Sequence, residues 1–367
     1  MSCVCVIHTD SAEKWREILE RSYQYDFYHT RDYHRLAEKR GEGEAFLFVY
    51  QEEGYFLALP MLLRPINSVQ GLEMTDYYDV TSVYGYPGPV ASTPYLPDFV
   101  VRGFQKSLIE FFSQQNVVSV FSRLHPLIPH QKLWLDGLGE IIEKGKTVSI
   151  DLSLPVDVQR MLYRKNHKYD INKLQRLGVN CYQDKEGRHV KEFIEIYYEN
   201  MRRVAAGAAY FFEDDYFLTL MGANDFKTCL FICELSGEII CGGLFTLCDG
   251  LVQYHLGATR TNFLELAPMK LVFDTVRLWA SQQNAKFFHL GGGVGGHEDS
   301  LFHFKAGFSK SRHPFYLWRW AVNPTVYNEL NEIKRDWNAR NGLVWESVDF
   351  FPLYRAPVIS SSLKRES

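Results

Sequence analysis

The chain holds no run of eighteen consecutive apolar residues, so no membrane-spanning helix is expected. Its first residues, MSCVCVIHTDSAEKW, lack a basic segment followed by a long apolar stretch, so no secretory leader is expected and a cytoplasmic protein is. An excess of positive charge is also missing: 40 Lys and Arg stand against 44 Asp and Glu, for a net charge of -4. That balance argues against a DNA-binding protein and leaves room only for a local basic face and, at most, peripheral membrane contact. Several catalytic signatures are absent as well: no GxxxxGK[ST] phosphate loop, no HExxH zinc motif and no GxSxG elbow occurs. The seven cysteines are odd in number, and four lie in apolar strand-like runs, which suits reduced, buried thiols. Cys3 and Cys5 form a CxC with no further ligands at metal-like spacing, so no metal site is expected.

What is present is ample apolar material. Hydrophobic residues make up 46% of the 367 and aromatics 15%, enough for two cores rather than one. The boundary is expected near residue 150, giving domains 1–150 and 151–357 and a flexible tail, 358–367. The two halves repeat one pattern. In the first, apolar runs at 45–50 and 55–63 flank a Glu-Glu-Gly turn; in the second, runs at 228–235 and 239–248 flank Ser236-Gly237. A helical pattern follows in each, at 99–115 and 268–282, and each runs into a strand, at 117–121 and 286–290. The first half carries about 14 extra residues between hairpin and helix. A strand is expected at 147–152, helices at 156–177, 190–204 and 325–340, and no coiled coil.

The segment FFHLGGGVGGHEDSLFHFKAGFS, residues 287–309, carries the most chemistry. Gly291, Gly292, Gly293, Gly295 and Gly296 follow a strand end; glycine permits a sharp turn and close approach of a ligand to the backbone. Those N–H groups either cradle an anion or simply let two backbones pass. Lys305, among Phe302, Phe304 and Phe308, either stabilises developing negative charge or snorkels past an aromatic core. The stretch 160–176 holds Arg160, Arg164, Lys165, Lys168, Lys173 and Arg176 with one acid, Asp170: a surface for a polyanion or merely a solvated face. In YYDVTSVYGYPGP, Tyr78, Asp79 and Tyr84 suit a polar ligand or a self-packed loop. In YFFEDDYF, Glu213 is either a general base or a helix cap, and Tyr210 precedes it.

Taken in order, the basic helix, AAYFFEDDYF, the apolar hairpin, YHLGATRTNFLELAP, LGGG, DSLFHFKAGF and the closing FFPLYR resemble the FemABX-like acyltransferases of the GNAT (Gcn5-related N-acetyltransferase) superfamily. YDFYHTRDY and YDVTSVYGYPGPV resemble the first half of the same proteins. The resemblance implies an α/β fold of two tandem GNAT-like domains, each a mixed central sheet flanked by helices. It implies an N-acyltransferase moving an acyl or aminoacyl group from acyl-CoA, an acyl-carrier protein or an aminoacyl-tRNA to an amine. The implied acceptor is a cell-envelope sugar or peptide precursor, nucleotide-linked or lipid-linked; a small soluble amine and a catalytically degenerate anion-binding relative are the alternatives. No tightly bound cofactor is implied. Lys305 and Phe304 match the FK motif, Lys305 as stabiliser of the tetrahedral intermediate, and Arg164 and Lys165 match a phosphate-meeting segment. Glu213 is the candidate base, and Tyr78, Asp79, Tyr84, Tyr210, Tyr254 and Gly291, Gly292 and Gly293 are candidate substrate contacts. Two departures stand out. The chain has no room for the coiled-coil arm of the staphylococcal bridge-forming enzymes. Its ATRTNFLELA, residues 258–267, lacks the glycines of a CoA-pyrophosphate loop.

Overall fold

A computed structural model describes residues 2–207 and 210–361. Along the chain run β1 (Ser2–His8), α1 (Ala12–Glu20), α2 (Arg31–Lys39), β2 (Glu44–Glu52), β3 (Tyr55–Pro65), β4 (Tyr78–Thr81), β5 (Val90–Ala91), α3 (Asp98–Gln114), β6 (Val117–Arg123), α4 (Gln131–Trp134) and β7 (Glu140–Asp151). Next come α5 (Val156–Met161), α6 (Lys165–Arg176), β8 (Asn180–Gln183), α7 (Val190–Arg203), α8 (Asp214–Met221), β9 (Lys227–Leu235), β10 (Glu238–Cys248), β11 (Leu251–Thr259), α9 (Met269–Gln282) and β12 (Phe287–Gly291). The chain closes with α10 (Ser300–Lys305), β13 (Arg312–Ala321), α11 (Pro324–Arg340), β14 (Leu343–Trp345) and β15 (Val358–Ser360). No helix among the described residues is long and apolar enough to cross a membrane.

The chain forms two compact units, one of residues 1–144 with 315–367 and the other of residues 145–314. In the first, the sheet order is β1-β2-β3-β4-β6-β13, with β5 paired to β3. In the second it is β8-β9-β10-β11-β12-β7. Both sheets share one pattern: an antiparallel run of four strands, a helix crossover, a strand parallel to the fourth (β4 with β6, β11 with β12), and a last antiparallel strand. A parallel neighbour needs a crossover, and the apolar faces of α3 and α9 supply it. The repeat read in the sequence is thus a repeat of topology, and the extra residues of the first half lie around β4, carrying β5. The fold is α/β, a mixed sheet flanked by helices in each unit, and no coiled-coil arm occurs among the described residues.

Three expectations change. The first unit takes back residues 315–357, which the sequence places in the second domain. The physical reason is pairing and packing: Leu317–Ala321 hydrogen-bonds antiparallel to Ser119–Arg123, Trp318 is fully buried in the core of Phe48, Phe104 and Phe112, and Tyr354 Oη lies 2.8 Å from Ser119 Oγ. The single basic helix is two, α5 and α6, broken at residues 162–164, where Arg164 adopts extended backbone and its N–H donates to Gly307 O. The tail begins as structure: β15 pairs with β14, while residues 362–367 lie outside the described residues.

Candidate functional site

In the second unit, β11 and β12 start as parallel neighbours and then part. Leu251, Val252 and Gln253 pair with Phe287, Phe288 and His289, and there the pairing ends, although β11 runs on to Thr259 and β12 to Gly291. A bulge accompanies the parting: Tyr254 pairs with Phe245 and Leu256 with Leu244, so His255 is the extra residue of β11. Bulges bend a strand and raise its twist, which accounts for the divergence. The result is a wedge: beyond Gln253, β12 no longer pairs with β11 among the described residues.

Lys305, the last residue of α10, fills the root of this wedge. It is 6% exposed; its Nζ donates to Gly292 O at 2.7 Å and lies 5.4 Å from the centre of the Tyr254 ring. The glycines are explained by this approach. Gly291 turns at φ +77, and a Cβ there would lie 3.2 Å from Nζ. At Gly292 a Cβ would meet Lys146 O at 2.8 Å, and at Gly293 it would strike His297 O and the Asp299 carboxylate. Gly292 thus serves Lys305 with its carbonyl. Tyr254 also needs a glycine: its hydroxyl would stand 2.5 Å from a Cβ at Gly257.

The sequence reading gave Asp299 no role, and the structure supplies one. Its carboxylate accepts from Phe302 N at 2.8 Å and Val294 N at 2.9 Å, capping α10 and tying the glycine loop to the helix that carries Lys305. Burial opposes its ionisation, but these hydrogen bonds hold its pKa below the ordinary value. The legible signal was Asp immediately before a helical run.

Burial drives Lys305 the other way. Desolvation lowers its pKa to about 7, and Asp299 only partly offsets this. A lysine with a depressed folded value binds fewer protons folded than unfolded between about pH 7 and its ordinary pKa near 10.5. Stability therefore rises with pH across that window, by at most about 1.4 kcal/mol per unit. Urea midpoints of the protein and Lys305→Met, measured from pH 7 to 9, are expected to converge as pH rises, with the variant the more stable at pH 7. Parallel lines would show that Lys305 does not titrate there.

The other candidates divide. Phe304 packs in the aromatic layer behind Lys305, 5.5 Å from both Phe273 and Phe308, and its carbonyl lies 2.9 Å from His167 Nε2. Arg164 donates to His303 O at 3.1 Å, bracing α10, and Lys165 is exposed at the start of α6. Glu213 is exposed at the N-cap of α8 and makes no side-chain capping bond. Tyr210 is 42% exposed, and its carbonyl accepts from Tyr197 Oη at 2.8 Å. Tyr78, Asp79 and Tyr84 belong to the first unit. There Asp79 is fully buried and accepts from Arg64 Nε at 2.7 Å and Arg355 Nε at 2.5 Å, fastening β3 to the segment before β15. His255 is half-buried, its pKa lowered to about 4 by desolvation, and its Nε2 lies 2.7 Å from Tyr216 Oη. The loop at 258–267 is already occupied: Thr261 N donates to Glu199 at 2.7 Å and Arg260 pairs with Glu192 at 2.9 Å.

Among solved structures the chain is similar to FemX, with a TM-score of 0.67 at 12% identity over 89% of this chain and 99% of that one. It is similar to L-PGS from Bacillus licheniformis at 0.56 and 15%, covering 86% and 93%. The C-terminal domain (DUF2156) of a putative lysylphosphatidylglycerol synthetase from Agrobacterium fabrum gives 0.53 and 12%, covering 85% and 91%. No protein-family model and no curated protein matches the chain. The fold is therefore FemX-like, as the resemblance to the FemABX-like group of the GNAT superfamily implied. At these identities the likeness is one of fold.

Proposed function

We propose that the second unit is an N-acyltransferase site that moves an acyl or aminoacyl group to an amine of a cell-envelope precursor. The observation that carries this reading is the buried Nζ of Lys305 at the root of the β11–β12 wedge. An extended donor arm can enter where β11 and β12 part, as a peptide adds to a strand. Its carbonyl then meets Lys305. The neutral acceptor amine attacks the carbonyl carbon, a C–N bond forms, and the carbonyl electrons move to oxygen. Protonated Lys305 stabilises that oxyanion. Collapse breaks the thioester or ester bond, and the amine proton leaves to water or to a carboxylate such as that of Glu213. A lysine poised near neutrality can also return a proton to the leaving group.

The donor is acyl-CoA, an acyl-carrier protein or an aminoacyl-tRNA. Carboxylates of Glu199 and Glu192, on α7 against the 258–267 loop, disfavour a pyrophosphate there. Calorimetric titration with acetyl-CoA is therefore expected to show no saturable binding at micromolar ligand; tight binding would assign CoA as donor and show that the loop rearranges. The reading itself is tested by following label from each donor class to amines, including nucleotide-linked and lipid-linked envelope precursors. Transfer to none of them, from any donor, would overturn it.

A further inference from the structure

A second feature, in the first unit, is independent of the transfer reading. The sheet face away from α3, with α11 and the segment leading to β15, lines an open cavity of about 720 Å³. That is the size of a small-molecule site. Six cationic side chains line it: Arg64, Arg123, Lys144, Arg319, Lys334 and Arg355. Asp349 is the one carboxylate among the lining residues.

Packing alone does not neutralise these cations. Asp79 takes only the Nε of Arg64 and of Arg355, and among the described residues the terminal Nη groups of Arg64 make no hydrogen bond. Arg319 Nη1 pairs with Asp349, whose carboxylate is 72% exposed and so weakly held. Arg319 Nε is buried with no hydrogen-bond partner among the described residues. Buried donors are nearly always satisfied, so an acceptor is called for here. Arg123 lies over the rings of Phe121 and Tyr84, at 5.5 and 5.9 Å, and has no carboxylate partner among the described residues. Lys334, 5% exposed, donates to Gln70 O at 2.7 Å and lies over Trp337, leaving further donors of its ammonium. Burial lowers its pKa, a cost that a bound anion would remove. Phe121, Leu317, Phe350 and Phe351 add an apolar part to the wall, beside the neutral polar Gln70, Thr81 and Ser347.

We infer that this cavity binds the phosphate or diphosphate of a partly apolar molecule, the anion held by Arg123, Arg319 and Lys334 and the remainder by the phenylalanine wall. The same chemistry is offered by a soluble phosphate ester and by a lipid headgroup. The test uses the full chain. Inorganic pyrophosphate is titrated by calorimetry, and binding to phosphatidylcholine vesicles is compared with binding to vesicles containing phosphatidic acid. The expected result is saturable pyrophosphate binding that weakens with salt. Arg123→Gln and Arg319→Gln should each weaken it by about tenfold or more. Arg123→Gln loses no ion pair, so its thermal midpoint should stay within about 2 °C of the parent. Binding to the phosphatidic acid vesicles alone, lost in the same variants, would assign a lipid headgroup. Binding to pyrophosphate alone would assign a soluble phosphate. No binding in either arm, binding indifferent to both substitutions, or binding lost instead in Arg164→Gln with Lys165→Gln on α6 would overturn the assignment.

Discussion

Lys305→Ala is expected to lower turnover by about 10²–10³-fold while leaving donor affinity within a few-fold of the parent. The split follows from where the ammonium acts. In the proposed reaction it faces the oxygen on which charge develops, so its contribution grows between bound donor and tetrahedral intermediate. The fold should survive, because alanine removes a buried cation and frees only one carbonyl, Gly292 O. Lys305→Arg should not restore activity: the planar guanidinium is longer and needs a fork of acceptors where the structure supplies one. Lys305→Met matches the volume without the charge and should behave as alanine does. Steady-state kinetics of the three variants, with the donor found by the label-transfer screen, decide the matter. Parental turnover in Lys305→Ala would remove Lys305 from the chemistry.

Asp79→Ala is expected to cost about 3 kcal/mol of stability in the first unit. The carboxylate is fully buried and joins two arginines, one on β3 and one near the C-terminus, so its loss leaves two partly buried cations facing each other. Arg64 and Arg355 keep 24% and 16% exposure, so water offsets part of the penalty, and the figure sits at the low end for broken buried pairs. For a unit of this size the thermal midpoint should fall by about 6–12 °C. An unchanged midpoint with weakened acceptor binding would instead return Asp79 to the ligand-contact role that its sequence context suggested.

Much of the fold was legible because periodicity reports burial. The hairpins of β2 with β3 and β9 with β10, and the helices α3 and α9, declare themselves by apolar spacing, and their ends fall within about two residues of expectation. The close approach of the glycine loop and Lys305 was legible for a different reason. Glycines in a row with a lysine among phenylalanines are unusual enough to mark a place where backbone and side chain must approach. What the sequence hid was long-range. β11, with Gln253, Tyr254 and His255 at its middle, alternates too weakly to read as a strand, yet its bulge opens the wedge. β13 reads as a charged aromatic run, and nothing local says that it returns to β6. Asp79 looked like a ligand contact because burial and two distant arginines leave no trace in YYDVT. The cations of Arg64, Arg123, Arg319 and Lys334 are scattered over most of the chain, and only folding gathers them.

The strand partners also set a timetable. The edge of β6 at Ser119–Arg123 is completed by Leu317–Ala321, which leaves the ribosome roughly 200 residues later, about 10–40 s at ordinary rates of synthesis. Until then the first unit carries an open, apolar strand edge, the kind that invites pairing with other chains. The second unit has no such wait, since β7 is made before β12. A chain released near residue 314 would thus hold a complete second unit and an unfinished first one. Premature stops in that region should yield aggregates, despite an intact Lys305 loop.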